Sequence, residues 1–241
     1  GTREYLRVLN AGGRPVESLP VAEARKVLAD VQAAVEVDLS GIDEREREIV
    51  ADGHALTLHL VRPHGSRGGP PYFVFIHGGG WVLGDYPTHR RLVRDLVVES
   101  EVAAVFVDYT PSPEAKYPQA VDEIYAAVKW VAENDAELDL DRRRMALVGN
   151  SAGGNMALAA ALLAKKRHAP AVRALVLLWP VTSASSDWKS YALYGGERFL
   201  TAPLMKWMFD RYTTDARARE EILLSPVNAS REELFGLPPT L

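Results

Sequence analysis

Apolar and polar residues alternate along the chain with two different periods. Residues 21–35 place apolar side chains at helical spacing, which predicts an amphipathic helix. Between residues 48 and 63 the spacing is that of a β-strand, and Asp52-Gly53 interrupts it, which predicts an antiparallel hairpin. Residues 72–76 form a continuous apolar run, as in strands that are buried on both faces.

Beyond this run, predicted helices alternate with predicted buried strands. This alternation is typical of crossover units, so we expect an α/β fold with a mostly parallel central sheet and helices on both faces. Ligands in such sheets bind beyond the carboxyl ends of the strands. The predicted helix and strand pairs are 88–100 with 102–107, 118–134 with 145–148, and 151–166 with 172–178.

The rhythm of alternation divides the chain into four predicted regions. Residues 1–45 form a helical N-terminal appendage, and residues 46–181 form the α/β core. Residues 182–215 interrupt the alternation with aromatic residues and a short helix near Pro203, so we interpret them as an insertion over the sheet. Residues 216–241 return to the core.

Composition excludes several classes of protein. The 241 residues carry 28 Lys and Arg against 32 Asp and Glu, with a net charge of −4 and no basic stripe, which argues against nucleic-acid partners. Apolar stretches fall short of the roughly 18 residues of a membrane span. The absence of Cys excludes disulfides and thiolate nucleophiles. The first ten residues show no apolar signal segment, which favours a cytoplasmic location.

A nucleophile motif, G-x-S-x-G, occupies residues 149–153 and centres on Ser151. An apolar strand precedes it and an alanine-rich helix follows, which is the strand–turn–helix setting that exposes a serine hydroxyl at a sharp corner. The new helix would also direct its first N–H groups toward a developing oxyanion. Without a second motif, the serine could equally be a helix N-cap among small packing residues.

The second motif is His77-Gly78-Gly79-Gly80-Trp81, which follows the third predicted strand. Loops at this position in α/β hydrolases supply backbone N–H groups to the oxyanion hole. A phosphate-binding loop is the rival interpretation, but no Lys-Ser or Lys-Thr pair follows. The order of the two motifs favours acyl-transfer chemistry.

Four segments together resemble the hormone-sensitive-lipase-like branch of the α/β-hydrolases, the bacterial family IV carboxylesterases. They are HGGGW at 77–81, DYTPSPEAKYPQAVDE at 108–123, GNSAGG at 149–154 and LSPVNA at 224–229. The resemblance covers most of the chain from about residue 45. It implies an α/β-hydrolase fold in which the N-terminal helices of residues 1–45 and the insertion at residues 182–215 form a cap over the acyl pocket.

The resemblance also implies roles for individual residues. Ser151 would be the nucleophile, and the N–H groups of Gly79, Gly80 and Ala152 would form the oxyanion hole. His77 and Gly78 would shape the loop. The chain departs from the branch at Asn150, where an acid is usual.

A general base for Ser151 is missing from the expected place. In this fold the order is Ser, Asp or Glu, then His, and after Ser151 the only histidine is His168, which lies 17 residues further along one helix. His77 suits a structural hydrogen bond better than a role as base. We therefore expect the chain to be truncated, with the acid and the histidine after Leu241 and the last strands missing. Solvated or packing roles are expected for His54, His59, His64 and His89.

The remaining candidates concern the substrate. Trp81, Leu204, Trp207 and Met208 are the candidate substrate-pocket residues, although most aromatic and Met residues of the insertion should pack in the cap. We expect Asp187, Glu197, Asp210 and Asp215 to be solvated cap residues. No metal-ligand spacing is present, and no cofactor is expected.

These observations favour a serine carboxylesterase that hydrolyses short- to medium-chain acyl esters through an acyl-enzyme. Its partner would be a small-molecule ester, and a homodimer is a further possibility. Two alternatives stay open. An amidase or formamidase of the same fold would use identical machinery, and a non-catalytic ligand-binding homologue would keep the pocket and lose the histidine.

Overall fold

The computed structural model describes residues 14–196 and 199–241 of the chain. Within them, the strands are β1 (Ile42–Ala51), β2 (His54–Pro63), β3 (Tyr72–Ile76), β4 (Ala103–Asp108), β5 (Met145–Asn150) and β6 (Ala174–Leu178). They form one sheet in the order β1-β2-β4-β3-β5-β6. β1, β2 and β4 pair antiparallel, whereas β4, β3, β5 and β6 are parallel neighbours.

Helices cover both faces of the sheet. α2 (Tyr86–Ser100) packs Val93 and Val97 against Phe73 and Phe75 on one face, and α3 (Gln119–Glu133) and α4 (Ala152–Arg167) pack on the other. The predicted α/β class and its mostly parallel sheet are confirmed. The helices are α1 (Val21–Ala33), α2 (Tyr86–Ser100), α3 (Gln119–Glu133), α4 (Ala152–Arg167), α5 (Lys189–Tyr194), α6 (Ala202–Tyr212) and α7 (Arg231–Leu234).

The predicted hairpin is confirmed, but its first strand is longer than the pattern indicates. Asp52 and Gly53 form the turn with φ values of +47° and +88°, as a tight hairpin requires. β1 begins at Ile42, six residues before the predicted start at Glu48. Most of this outer half, at the sheet edge, is solvent-exposed, so its sequence carries no apolar alternation.

The helix α1 packs Ala24 into the core, and its Arg25 side chain adds polar contacts to two loops. Arg25 donates from Nε to the Val82 carbonyl and from Nη2 to the Ser112 carbonyl, each at 2.9 Å. It also pairs with both carboxylate oxygens of Glu114. Arg25 therefore joins the first part of the predicted cap to two loops at the carboxyl end of the sheet.

The end of the chain lies along the outer edge of β6. The Pro239 carbonyl accepts a hydrogen bond from the Leu175 amide, and the Leu241 amide donates back to the Leu175 carbonyl at 3.0 Å. Leu175 and Thr240 form a parallel bridge. Of the predicted cap residues, 1–13, Glu197 and Arg198 lie outside the described residues. No helix in the described part of the chain is both long and apolar enough to cross a bilayer.

Candidate active site

Three loops meet where neighbouring parallel strands end. Ile76 at the end of β3 is paired with Val107 of β4 on one side and with Gly149 of β5 on the other. The segments that follow these strands are the triple-glycine loop, the DYTPSPE loop and the turn that carries Ser151. Strand order therefore brings together the motifs that the sequence analysis identified separately.

Ser151 lies at a strained corner between β5 and α4. Its φ and ψ are +54° and −120°, a conformation that non-glycine residues rarely adopt. The Ser151 amide donates to the Leu178 carbonyl at 2.9 Å, and the Ser151 carbonyl accepts from the Asn155 and Val181 amides at 3.1 Å each. These backbone bonds hold the corner on both sides. Ser151 is only partly buried, so part of it is exposed to solvent at the carboxyl end of the sheet.

Glycines around Ser151 allow the close packing that this corner requires. A Cβ atom added to Gly149 would lie 2.5 Å from the Gly153 carbonyl carbon, and one added to Gly153 would lie 2.6 Å from the His77 carbonyl. A Cβ atom at Gly154 would meet the Pro180 ring at 3.0 Å. The small residues of the motif therefore let α4 begin directly against the ends of β3 and β5.

The triple-glycine loop passes beside the Ser151 side chain. A Cβ atom added to Gly78 would be 3.1 Å from the Ser151 Cβ. Gly79 and Gly80 have φ values of +117° and +61°, and the Gly79 carbonyl accepts from the Val82 and Leu83 amides. The loop thus turns sharply at the point where it is closest to the serine.

Three amides near Ser151 are not used by the fold. The N–H groups of Gly79, Gly80 and Ala152 donate no hydrogen bond to any other residue that the structure describes. Ala152 is the first residue of α4, where the N–H groups have no intrahelical acceptor and where the positive end of the helix dipole lies. This is the donor chemistry that stabilises an oxyanion.

His77 is a structural residue of the loop. Its Nδ1 lies 2.8 Å from the Gly78 carbonyl oxygen, and its ring stacks on Tyr109 at a centroid distance of 4.2 Å. The Tyr109 hydroxyl donates to the His77 carbonyl at 3.0 Å, which gives the tyrosine of the DYTPSPE segment a role in holding the loop. The ring is 1% exposed, in keeping with a structural hydrogen bond.

A second histidine, His89 of α2, lies beside His77 with ring centroids 5.3 Å apart. Burial lowers the pKa of both rings, and the neighbouring His89 charge lowers the pKa of His77 further. The pair is therefore neutral in the folded protein near pH 7. The sequence offered no signal for His89, since nothing in the pattern of α2 shows which side chain reaches the glycine loop.

We expect this neutral pair to make stability depend on pH below neutrality. The unfolded chain takes up protons at these histidines below about pH 6.5, whereas the folded protein excludes them. The contribution of the two histidines to the free energy of unfolding is therefore complete above about pH 6.5 and is lost as the pH falls toward their lowered pKa values. Each excluded proton costs up to about 1.4 kcal/mol of unfolding free energy per pH unit. Urea denaturation between pH 7.5 and 5.0 should show this decline.

The variant His89→Gln provides the control for that prediction. It removes one excluded proton and the charge that acts on His77, so its unfolding free energy should fall less steeply with decreasing pH. Carboxylates titrate mostly below this range and contribute equally in both proteins. Parallel slopes for the wild type and the variant would contradict a neutral buried pair.

The other histidines are remote from Ser151 or engaged elsewhere. His168 is the C-cap of α4, and its position 17 residues after Ser151 places it about 25 Å from the serine at 1.5 Å per residue. The three hairpin histidines each face a carboxylate: His54 faces Glu123, His59 faces Asp108 and His64 faces Asp43, at 3.9, 3.1 and 2.8 Å. No described histidine forms a hydrogen bond with the Ser151 hydroxyl.

The candidate acids of the insertion have local partners. Asp210 lies between Lys206 and Arg219, which lower the pKa of its carboxyl group. Asp187 accepts from the Ser185 hydroxyl, and Asp215 accepts from the Arg217 amide. These contacts fit the structural and solvated roles expected for residues of the insertion.

Among the four candidate pocket residues, Met208 is packed on the glycine loop. A Cβ atom added to Gly80 would lie 2.5 Å from the Met208 Cγ. Trp81 is fully buried and stacks on Tyr212 at 4.6 Å, so its ring packs within the core. Leu204 and Trp207 are each 7% exposed on α6.

Trp179 is a neighbour of Ser151 that the sequence patterns did not indicate. It directly follows Leu178, whose carbonyl accepts the Ser151 amide, and its φ is +43°. Its side chain is 70% exposed. An unusual backbone angle is not visible in a sequence, so no signal could have singled this residue out.

Comparisons with known proteins agree with this geometry. The sequence profile of a family described as alpha/beta hydrolase fold matches residues 73–241. The chain is 32% identical over 232 residues to a putative alpha/beta hydrolase of Acanthamoeba polyphaga mimivirus, covering 95% of this chain and 65% of that protein. It is 31% identical over 238 residues to an ethyl acetate hydrolase of Pseudomonas putida, covering 94% and 74%.

A solved structure gives the same picture. A thermostable esterase from Pseudomonas putida superposes with a TM-score of 0.97 and 53% sequence identity, covering 99% of this chain and 75% of that one. The chain therefore spans between about two thirds and three quarters of the length of these relatives. The expected fold is confirmed.

Proposed function

Because the chain belongs to the alpha/beta hydrolase family, in its hormone-sensitive-lipase-like branch, we propose that the protein is a serine carboxylesterase with Ser151 as nucleophile. The observation that carries the proposal is the juxtaposition at the sheet edge. A serine in a strained corner lies against a glycine loop, and three amides around it have no acceptor among the described residues. This is the arrangement that acyl transfer requires.

The proposed reaction has two halves. Ser151 Oγ attacks the ester carbonyl carbon, its proton passes to a general base, and the carbonyl electrons move onto oxygen. The N–H groups of Gly79, Gly80 and Ala152 donate to this oxyanion, and each donor contributes about 3 kcal/mol to transition-state stabilisation. The alcohol leaves with the proton of the base. Water then attacks the acyl-enzyme with the help of the same base and releases the acid.

The general base in this proposal is a histidine that follows Leu241 in the full-length protein, oriented by an aspartate. Two observations support it. No described histidine bonds to the Ser151 hydroxyl, and His77 already uses Nδ1 on the Gly78 carbonyl. The esterases that resemble the chain are also longer than it is.

The proposed substrates are esters of short to medium acyl chains. Met208 and Leu204 of α6 would face the acyl group, since Met208 packs directly over the loop that holds the oxyanion. Trp207 and Trp81 would form the apolar wall behind them. The similarity to an ethyl acetate hydrolase supports a preference for small esters.

The test uses the full-length protein with p-nitrophenyl acetate, butyrate and octanoate beside the matching p-nitroanilides. We expect hydrolysis of the esters, with the shorter acyl chains preferred, and little hydrolysis of the anilides. A fluorophosphonate probe should label Ser151, which peptide mass spectrometry would locate. Faster turnover of the anilides would favour the amidase, and the absence of both turnover and labelling would favour the ligand-binding homologue.

A further inference from the structure

The side chain of Asn150 joins the nucleophile strand to the glycine loop. Its Oδ1 accepts the Gly78 amide at 2.9 Å, across 72 positions of the sequence. The Gly78 carbonyl on the other side of that residue accepts from His77 Nδ1 at 2.8 Å. Gly78 is therefore held at both its N–H and its C=O, directly before the two glycines whose amides lack acceptors among the described residues.

The other end of the Asn150 carboxamide faces His89. The distance from Asn150 Nδ2 to His89 Nε2 is 3.4 Å. His89 Nδ1 lies 3.1 Å from the Thr88 hydroxyl oxygen and 3.3 Å from the Asp85 carbonyl oxygen. The Thr88 hydroxyl donates to that carbonyl and the carbonyl can only accept, so we assign the proton to Nδ1 and the lone pair to Nε2. A neutral His89 thus fixes the orientation of the amide, with the NH₂ toward the ring and the oxygen toward Gly78.

Space around the amide is also limited. A Cβ atom added to Gly78 would lie 2.7 Å from Asn150 Nδ2 and equally close to the Asn150 carbonyl oxygen. The loop backbone therefore contacts the side chain directly, and no other described side chain bonds to the Gly78 amide. A change in this contact would move the loop relative to Ser151.

We propose, on the basis of the function proposed above, that Asn150 is a positioning residue for ester hydrolysis. Its carboxamide oxygen fixes the Gly78 peptide, and thereby aims the Gly79 and Gly80 amides at the carbonyl oxygen of an ester bound at Ser151. The neutral His89 ring accepts from the Asn150 NH₂ group and so prevents the carboxamide from exchanging the positions of its oxygen and nitrogen. Asn150 acts through the backbone and does not touch the reacting atoms.

Two nearly isosteric variants of Asn150 test whether its role depends on the hydrogen-bond acceptor or only on the volume of the side chain. Asn150→Leu fills the volume without an acceptor, and Asn150→Asp keeps an oxygen for the Gly78 amide. We expect Asn150→Leu to lower kcat about 10- to 100-fold with KM within about twofold, because misaligned donors weaken binding only in the transition state. Asn150→Asp should keep kcat within about threefold at pH 8.

The His89 ring provides a spectroscopic readout. A carboxylate at position 150 can no longer donate to Nε2 and instead favours a protonated ring, so the pKa of His89 should rise in Asn150→Asp. The groups that face His89 are Asp85 on its own helix, His77 at the end of β3 and Asp108 at the end of β4. Imidazole NMR titration of both proteins measures the shift.

Each outcome bears on a different claim. If the wild type neither hydrolyses esters nor reacts with the fluorophosphonate, the proposed function fails. If the wild type is active and folded Asn150→Leu matches its kcat, the positioning role is wrong while the function stands. If Asn150→Leu does not fold, Asn150→Ala takes its place, and wild-type kcat in that variant would overturn the role equally. An unchanged His89 pKa in Asn150→Asp would refute the contact with the ring.

Discussion

Replacing Ser151 with alanine in the full-length protein is expected to lower kcat for p-nitrophenyl butyrate by about 10⁶-fold, the scale of loss when a serine nucleophile is removed. The acyl-enzyme cannot form without Oγ, and only the polarisation of the carbonyl by the loop and helix amides remains. The fluorophosphonate probe should no longer label the protein. Steady-state kinetics on the purified variant and intact mass spectrometry measure the two effects.

Alanine at Ser151 can keep the corner backbone, because the strained φ and ψ are set by the bonds to Leu178 and Val181. The melting temperature should therefore change little. Ser230→Ala is the matched control, since Ser230 is an exposed N-cap of α7 and lies outside the proposed site. Retained turnover in Ser151→Ala, or equal losses in both variants, would contradict the assignment.

Replacing Gly153 with alanine is expected to destabilise the protein by about 3 kcal/mol, at the upper end of the range for overpacking. The new methyl group would collide with the Ile76 carbonyl oxygen and lie 2.6 Å from the His77 carbonyl. These are backbone atoms at the end of β3, so they cannot move aside as a flexible side chain could. At 2–4 °C per kcal/mol for a chain of this size, the melting temperature should fall by roughly 6–12 °C.

The Gly153 variant should also lose activity, since relief of the collision moves the start of α4 away from the glycine loop. Gly196→Ala is the control, because a Cβ atom there would meet no atom of residues 14–196 and 199–241 within 4 Å. Its melting temperature should stay within about 1 °C of the wild type. Calorimetry or thermal circular dichroism measures both variants, and a Gly153→Ala protein as stable as Gly196→Ala would show that the corner is not tightly packed.

Much of the fold could be predicted because its signals lie within short segments of the sequence. Buried strands such as Tyr72–Ile76 read as uninterrupted apolar runs, and Asp52-Gly53 marked the hairpin turn, because each signal depends on residues close together in sequence. The outer half of β1 gave no such signal because most of it is exposed to solvent. The helix Lys189–Tyr194 is also too short for a clear helical period.

The sequence by itself determined the strand-to-helix corner at Ser151, the glycine loop and the α/β class, since motif spacing and apolar periodicity are properties of neighbouring residues. Only the tertiary structure decided which side chains support them. Asn150 contacts Gly78 and His89 because β5 pairs with β3 and α2 packs across their ends. Those contacts join residues 72 and 61 positions apart in the sequence. Strand order and helix packing, which follow from the whole core, bring them within hydrogen-bond distance.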